Sequence, residues 1–303
     1  MLLTTCRFGF RSLLTFAFTG LLLLPAWAQE IATPPKHAPS FWKVEGKHNT
    51  VWLFGSVHVL TEAHYPLAEK VEKAFAASPN MVVEVDIVNM DPAAMQRVMA
   101  TKSLLPPGTT LKTLLGEQYP RASQLAAANG YDLEQLKTMR PWLITMMVTM
   151  NEFVQAGYTP DQGVEAYFLK RASSEQKAIK ELETLESQIG IFAGMDKQTE
   201  TAMLMQTLEE LQSSDEQIAE LITAWESGKL HELEATLLED FADYPGVYRT
   251  LVTDRNQNWV SQLKPLLINS KKDHFVVVGA LHLVGKEGVV NLLRKEGFAI
   301  TQQ

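Results

Sequence analysis

The chain has 303 residues, 46% of them hydrophobic and 20% charged, with a formal net charge of −8. That length and balance bound the answer to one large globular domain or two small ones. An acidic chain with no cluster of Lys and Arg is a poor partner for nucleic acid, whose backbone is held by basic side chains.

Residues 1–28 read as a targeting segment rather than as part of the fold. Arg7 and Arg11 make a basic start, residues 12–24 ("SLLTFAFTGLLLL") are an apolar core, and "AWA" at 26–28 is a small-x-small cleavage site. A retained membrane anchor is the alternative, since the apolar stretch approaches spanning length. Pro25 and the Ala-x-Ala ending favour cleavage after Ala28 and an exported, periplasmic or secreted chain. The single cysteine, Cys6, falls inside this segment and has no lipidation motif around it, so the mature chain has no thiol for a disulfide or for catalysis. No later stretch is long and apolar enough to span a bilayer.

Residues 29–40 are polar and Pro-rich and read as an extended leader. Residues 41–60 then predict two strands joined by a turn at Gly46–Asn49. Residues 65–78 carry a proline at the start and apolar positions at helical spacing, and "MVVEVDIV" (81–88) is a continuous β-type run. From about 104 to 177 helix signals dominate, a short strand is expected at 177–183, and helices return over 186–264. The chain closes with a strand at 274–279, a helix at 287–297 and an edge strand in "FAITQQ". The fold class expected is α/β: one mixed-sheet core over 41–303, built from both ends of the chain. Large helical insertions at about 104–162 and 186–254 would cover it. The Met-rich helical middle is assigned to core packing.

Two stretches share a phrase: "VWLFGSVHVL" at 51–60 and "FVVVGALHLV" at 275–284. Each ends an apolar run in glycine and places a histidine three residues later. Ligands in α/β sheets collect beyond the carboxyl ends of strands, so His58 and His282 are expected to face one crevice. Read alone, each histidine is as well explained as a strand cap; the matched pair favours a site. Glu84 interrupts an apolar strand, where a carboxylate is costly unless paired or metal-bound, and Asp86 would share its face. Glu183 closes the strand expected at 177–183, Glu165 follows Gly163, and Arg255 with Asn256 sits in "TDRNQNW" on a helix. Two histidines with two or more glutamates suit a divalent metal of hard to borderline character. Ser56 shares the strand face of His58 and reads as a hydrogen-bonding neighbour rather than a nucleophile. "HELEA" at 231–235 lacks the second histidine of a zincin, and no serine-nucleophile elbow or phosphate-binding loop is present.

On these residues, together with "MVVEVD", "RPWL", "DQGVE", "IKELETLESQI" and "VGALHLVGKEGVVNLLRKEGF", residues 41–299 resemble the TraB/GumN (PrgY) family, relatives of the Tiki metalloproteases. Ser56 stands where Thr is usual and Glu165 where Asp is usual. The resemblance implies an erythromycin-esterase/ChaN-like architecture and places His58, Glu84, Glu183, Arg255 and His282 on the family's polar motif positions. It points to an exported metal-dependent hydrolase of peptide or amide bonds, using manganese, cobalt or zinc. His58, His282, Glu84 and Glu183 are the expected metal ligands; Glu84, Glu183 and Arg255 are the expected catalytic groups. Ser56, Glu165 and Asn256 are expected to meet the substrate, a peptide or small molecule. The alternative is a non-catalytic periplasmic protein that sequesters a peptide or small ligand in the same crevice, its histidines serving as hydrogen-bond or haem contacts.

Overall fold

The computed structural model describes residues 40–238, 241 and 245–303; the targeting segment and nearly all of the leader lie outside the described residues. Six strands form one sheet: β1 (Phe41–Glu45), β2 (Thr50–Ser56), β3 (Asn80–Val83), β4 (Ala178–Glu181), β5 (His274–Gly279) and β6 (Ile300–Gln302). Their spatial order is β4-β3-β5-β2-β1-β6. β2, β5, β3 and β4 run parallel, while β1 pairs antiparallel with both β2 and β6. Both ends of the chain therefore meet in a single mixed sheet, as expected.

The sheet's centre is β5, whose six residues are all buried. A strand covered on both faces reads as a continuous apolar run, which is why "FVVV" shows no alternation. β2 lies against it with Ser56 opposite Gly279 and Gly55 opposite Val278. The two copies of the repeated phrase are thus neighbouring parallel strands, offset by one residue. A Cβ on Gly55 would come within 3.0 Å of Ala280 Cα, so glycine permits this close pairing.

The helices are α1 (Glu69–Ala77), α2 (Pro92–Lys102), α3 (Leu111–Leu115), α4 (Tyr119–Ala128), α5 (Pro141–Gln155), α6 (Val164–Ser174) and α7 (Leu185–Ala193). They continue as α8 (Lys197–Glu210), α9 (Ser214–Ser227), α10 (Leu230–Leu238), α11 (Pro245–Tyr248), α12 (Asp254–Asn269) and α13 (Val289–Lys295). Between α11 and α12 the chain makes a π-helical turn over Arg249–Thr253. α6 is fixed to the sheet by Phe168, whose ring meets Phe54 edge-on and lies 4.8 Å from Phe75 and 4.9 Å from Phe275. Burying a side chain of that size contributes about 1.5–3 kcal/mol. Among the described residues no helix is long and apolar enough to cross a membrane.

Several expected elements differ in extent. The strand read over 177–183 is Ala178–Glu181, so Glu183 does not close it but lies two residues beyond. The strand read over 81–88 stops at Val83, and Glu84–Asp86 form the loop beyond it. Glu84 does not interrupt a strand but follows its last residue, and the Asp86 carboxylate caps its own loop by accepting from the backbone of Val88 and Asn89. The helix read over 65–78 starts at Glu69; Tyr65 before it is extended, and the Leu67 N–H donates to the Glu72 carboxylate.

The helical middle is tied to the sheet at the repeated phrase itself. Trp225, fully buried on α9, donates its indole N–H to the Gly55 carbonyl at 2.9 Å. Trp225→Phe keeps an aromatic ring but removes the N–H and part of the buried side chain, so urea denaturation should show a loss of at least about 1–3 kcal/mol with the far-UV spectrum unchanged. An unaltered midpoint would mean that the bond does not hold the insertion down.

Candidate functional site

Four parallel strands place their carboxyl ends on one edge of the sheet, and the candidate residues follow those ends. His58 stands two residues past β2, Glu84 one past β3, Glu183 two past β4 and His282 three past β5. Glu165 is on the first turn of α6, and Arg255 with Asn256 on the first turn of α12. The sheet's topology thus gathers side chains from six separate segments.

Arg255 is the hub. Its Nη2 donates to Glu84 Oε2 at 2.6 Å, its Nε to Glu183 Oε1 at 2.8 Å, and its Nη1 to His282 Nε2 at 2.9 Å. The preceding π-turn supplies a further acceptor, the Leu251 carbonyl at 3.1 Å from Nη1; such turns displace carbonyls from the regular helical ladder. Trp259, one helical turn after Arg255, lies beneath the guanidinium at 4.8 Å and donates its indole N–H to Glu183 Oε1 at 2.8 Å. Its ring is also 4.4 Å from that of His282. Arg255 itself is only 5% exposed.

Each partner is held from a second side. Glu84 accepts the Gly279 N–H on Oε1 at 2.8 Å and the Gln188 amide on Oε2 at 3.0 Å. His282 Nδ1 meets Asn256 Oδ1 at 2.7 Å, while Asn256 Nδ2 donates to the Glu287 carbonyl at 2.8 Å. A guanidinium can only donate, so Nε2 of His282 accepts and Nδ1 carries the hydrogen. Burial, with the positive charge of Arg255 and then of His58, holds His282 well below the usual imidazole range and keeps it neutral.

A second group adjoins the first. Glu165 Oε1 accepts from the Ser56 hydroxyl and lies 2.9 Å from His58 Nδ1. Burial would raise the Glu165 carboxyl, but the charge of His58 and hydrogen bonds from His58 and Ser56 outweigh it and hold the group low. Glu84 shows the opposite balance: burial prevails over the nearby charges of Arg255 and His58 and raises it. His58 acts electrostatically on both Glu84 and His282, which joins the two groups.

All the expected residues therefore come together, with altered emphasis for some. Asn256 fixes the His282 tautomer, and Ser56 fixes Glu165; both are bonded to site residues rather than displayed to a ligand. Asp86 faces away, into a cavity of 310 Å³ lined also by Val85, Asn89, Glu181 and Thr184. None of the clustered side chains lines this cavity. Sequence reasoning missed Gln188, Trp259 and the Gly279 N–H. The spacing of Trp259 four residues after Arg255 was the available signal, since such pairs share a helix face.

The donor chemistry can be tested against a divalent cation. Neutral imidazole and carboxylate oxygen are suitable ligands, and one oxygen each of Glu183 and Glu165 (Oε2 in both) is buried without a hydrogen-bond partner. Two buried acids, Glu84 and Glu183, bond to one permanent cation, Arg255, while the third, Glu165, pairs with His58. The excess of acid must be met by protons or by an added cation. In the present arrangement Arg255 takes one atom from each of Glu84, Glu183 and His282, and among the described residues no three acidic or histidine side chains are gathered to hold an ion. The residues fit a cation in donor type and in charge, and they share that role with the guanidinium.

If the hub is the source of order here, Arg255→Met should strongly destabilise the metal-free protein. Removing one partner of a buried ion pair costs about 3–5 kcal/mol, because the remaining charges stay buried without compensation. Adding Glu84→Gln to that variant should cost much less than Glu84→Gln costs in the unaltered protein. Additive losses in a double-mutant cycle would show that the two side chains are not coupled.

The model describing the TraB/PrgY/gumN family matches residues 40–302. The chain is 23% identical over 242 residues to the uncharacterized protein YbaP of Escherichia coli K12, covering 80% of this chain and 87% of that one. An uncharacterized protein of Treponema pallidum is 20% identical over 272 residues, covering 84% of this chain and 80% of that one. No solved structure matches.

Proposed function

The chain belongs to the TraB/PrgY/gumN family, and from that premise and the site's geometry we propose that it is an exported hydrolase of peptide or amide bonds that works with a divalent metal. The observation that carries the reading is that two buried acids, Glu84 and Glu183, share one permanent positive charge, Arg255, at the sheet edge where α/β enzymes place their chemistry. A divalent cation held by His58, His282 and one of Glu84 and Glu183 would supply Lewis-acid polarisation of the scissile carbonyl.

The chain's own residues account for the rest. Glu165 orients His58 through Nδ1, as a carboxylate does behind a working imidazole. Asn256 fixes Nδ1–H on His282 and so presents its Nε2 lone pair. The glutamate not used as a ligand takes the proton from the attacking water. Glu84 suits this duty because burial raises its carboxyl toward neutrality. Arg255, whose charge Glu84 and Glu183 sustain against burial, steadies the negative charge that develops on the carbonyl oxygen. Manganese and cobalt, which the family's Tiki relatives suggest, head the list of ions to try, with zinc next.

A peptide library incubated with the secreted protein and each ion in turn should be cleaved, and N-terminal sequencing should start at Gln29. His58→Ala and His282→Ala should lose bound metal and cleavage together while keeping secretion and the far-UV spectrum. Glu84→Gln, acting as the lost base, should retain metal and slow turnover by roughly 10²–10⁴-fold. Peptides returned intact under every ion would replace hydrolysis with sequestration, and wild-type metal and rate in either histidine variant would overturn the assignment of the site.

A further inference from the structure

The carboxylate behind His58 is placed by a clamp between two loops that pass one another. The loop leaving β2 and the segment entering α6 pair at Leu60 and Thr159, with the Thr159 N–H donating to the Leu60 carbonyl at 2.9 Å. Farther along, the Val164 N–H donates to the Val57 carbonyl at 3.2 Å. From the other side, the Tyr65 hydroxyl donates to the Gln162 carbonyl at 2.6 Å. Burial first, then the Glu165 carboxylate nearby, raises the Tyr65 hydroxyl, so it stays a neutral donor. Its ring stacks on Tyr167 at 4.2 Å and is held there independently of the hydroxyl.

Between these bonds lies Gly163. Its φ of −61° is open to any residue, so backbone conformation does not call for glycine. Space does: a Cβ there would fall 2.1 Å from the His58 carbonyl oxygen and 2.6 Å from its carbon. Both are backbone atoms and cannot swing aside. Relieving such an overlap would move the start of α6 and the His58 backbone apart by about 1 Å or more. The His58–Glu165 separation is 2.9 Å, so a shift of that size carries it past the ~3.2 Å limit of an N–H···O bond.

We propose that Tyr65 and Gly163 are positioning residues: Gly163 lets the start of α6 rest directly on the His58 backbone, Tyr65 locks that seat, and together they hold Glu165 against His58. The inference rests on the reading of His58 as a working imidazole of the hydrolase. Neither residue touches substrate. Their effect passes through Glu165, which fixes the ring of His58. Catalytic geometry is sensitive on this scale, a misplacement of about 1 Å costing on the order of 10²-fold in rate.

The test reads the bond itself, without substrate or metal. The EDTA-treated mature protein, labelled with ¹⁵N-histidine, should show a downfield Nδ1–H resonance that is absent in His58→Gln and lost in Glu165→Leu, which has no acceptor. Tyr65→Phe keeps the stacked ring and the fold, and should shift that resonance upfield or lose it; Gly163→Ala should do the same. Tyr167→Phe removes a different α6 anchor, the hydroxyl that donates to Glu72, and should leave the resonance in place. A resonance unmoved in both Tyr65→Phe and Gly163→Ala, but lost in Glu165→Leu, overturns the clamp and leaves the hydrolase reading standing. One that survives Glu165→Leu overturns both, and one that Tyr167→Phe moves as much as Tyr65→Phe reduces the clamp to general loosening of α6. Should Gly163→Ala fail to fold, Tyr65→Phe decides alone.

Discussion

One guanidinium, that of Arg255, bonds at once to groups that follow three different strands: Glu84 after β3, Glu183 after β4 and His282 after β5. Burying a cation is expensive, and the attraction of two carboxylates offsets that cost only when every donor is well directed. The direction comes from the surroundings. The π-turn presents the Leu251 carbonyl, Trp259 underlies the guanidinium, and the Gly279 N–H and Gln188 amide hold Glu84 in place. Arg255 therefore fixes the carboxyl-end edge of the sheet as one unit. A disturbance of any of these strands is felt by the whole cluster.

The second constraint is charge. Arg255 does not balance the two buried acids bonded to it, a third acid lies against His58, and the molecule treats these carboxyl groups unevenly. Glu84 is raised by burial, whereas Glu165 is held low by His58. Two carboxyl groups in one site with opposed environments are what acid–base chemistry requires, since one can carry a proton while the other stays ionised. The same excess of acid makes a place for a cation, so a metal and a titrating acid are two answers to one electrostatic problem.

Much of this was legible in the sequence because it is written locally. The repeated phrase marked two buried strands ending in glycine and leading to histidine, and those strands are adjacent and parallel. The acids at 84, 165 and 183 stood out because charge beside an apolar run is costly. The residues that went unseen are set by tertiary contact. Nothing near Gln188 in the chain announces that it reaches Glu84, and Asn256 had no visible link to His282. The strand at 81–88 ran too long because "VVEVDIV" has the composition of a strand. Glu84 ends it by turning its carboxylate toward Arg255 and the Gly279 N–H, contacts from elements far along the chain. Gly163 was noticed only as the neighbour of Glu165, since its reason for being glycine is a backbone passing 2.1 Å from where a side chain would begin.

The central claim is that the acids around Arg255 are one cation short. Anomalous scattering from crystals of the EDTA-treated protein soaked in manganese tests it most directly. The account predicts a single peak per chain, bonded to at least two of His58, Glu84, Glu183 and His282, with Arg255 released from one of its present partners. A map with no peak at that edge, and Arg255 still bonded to Glu84, Glu183 and His282, would contradict it.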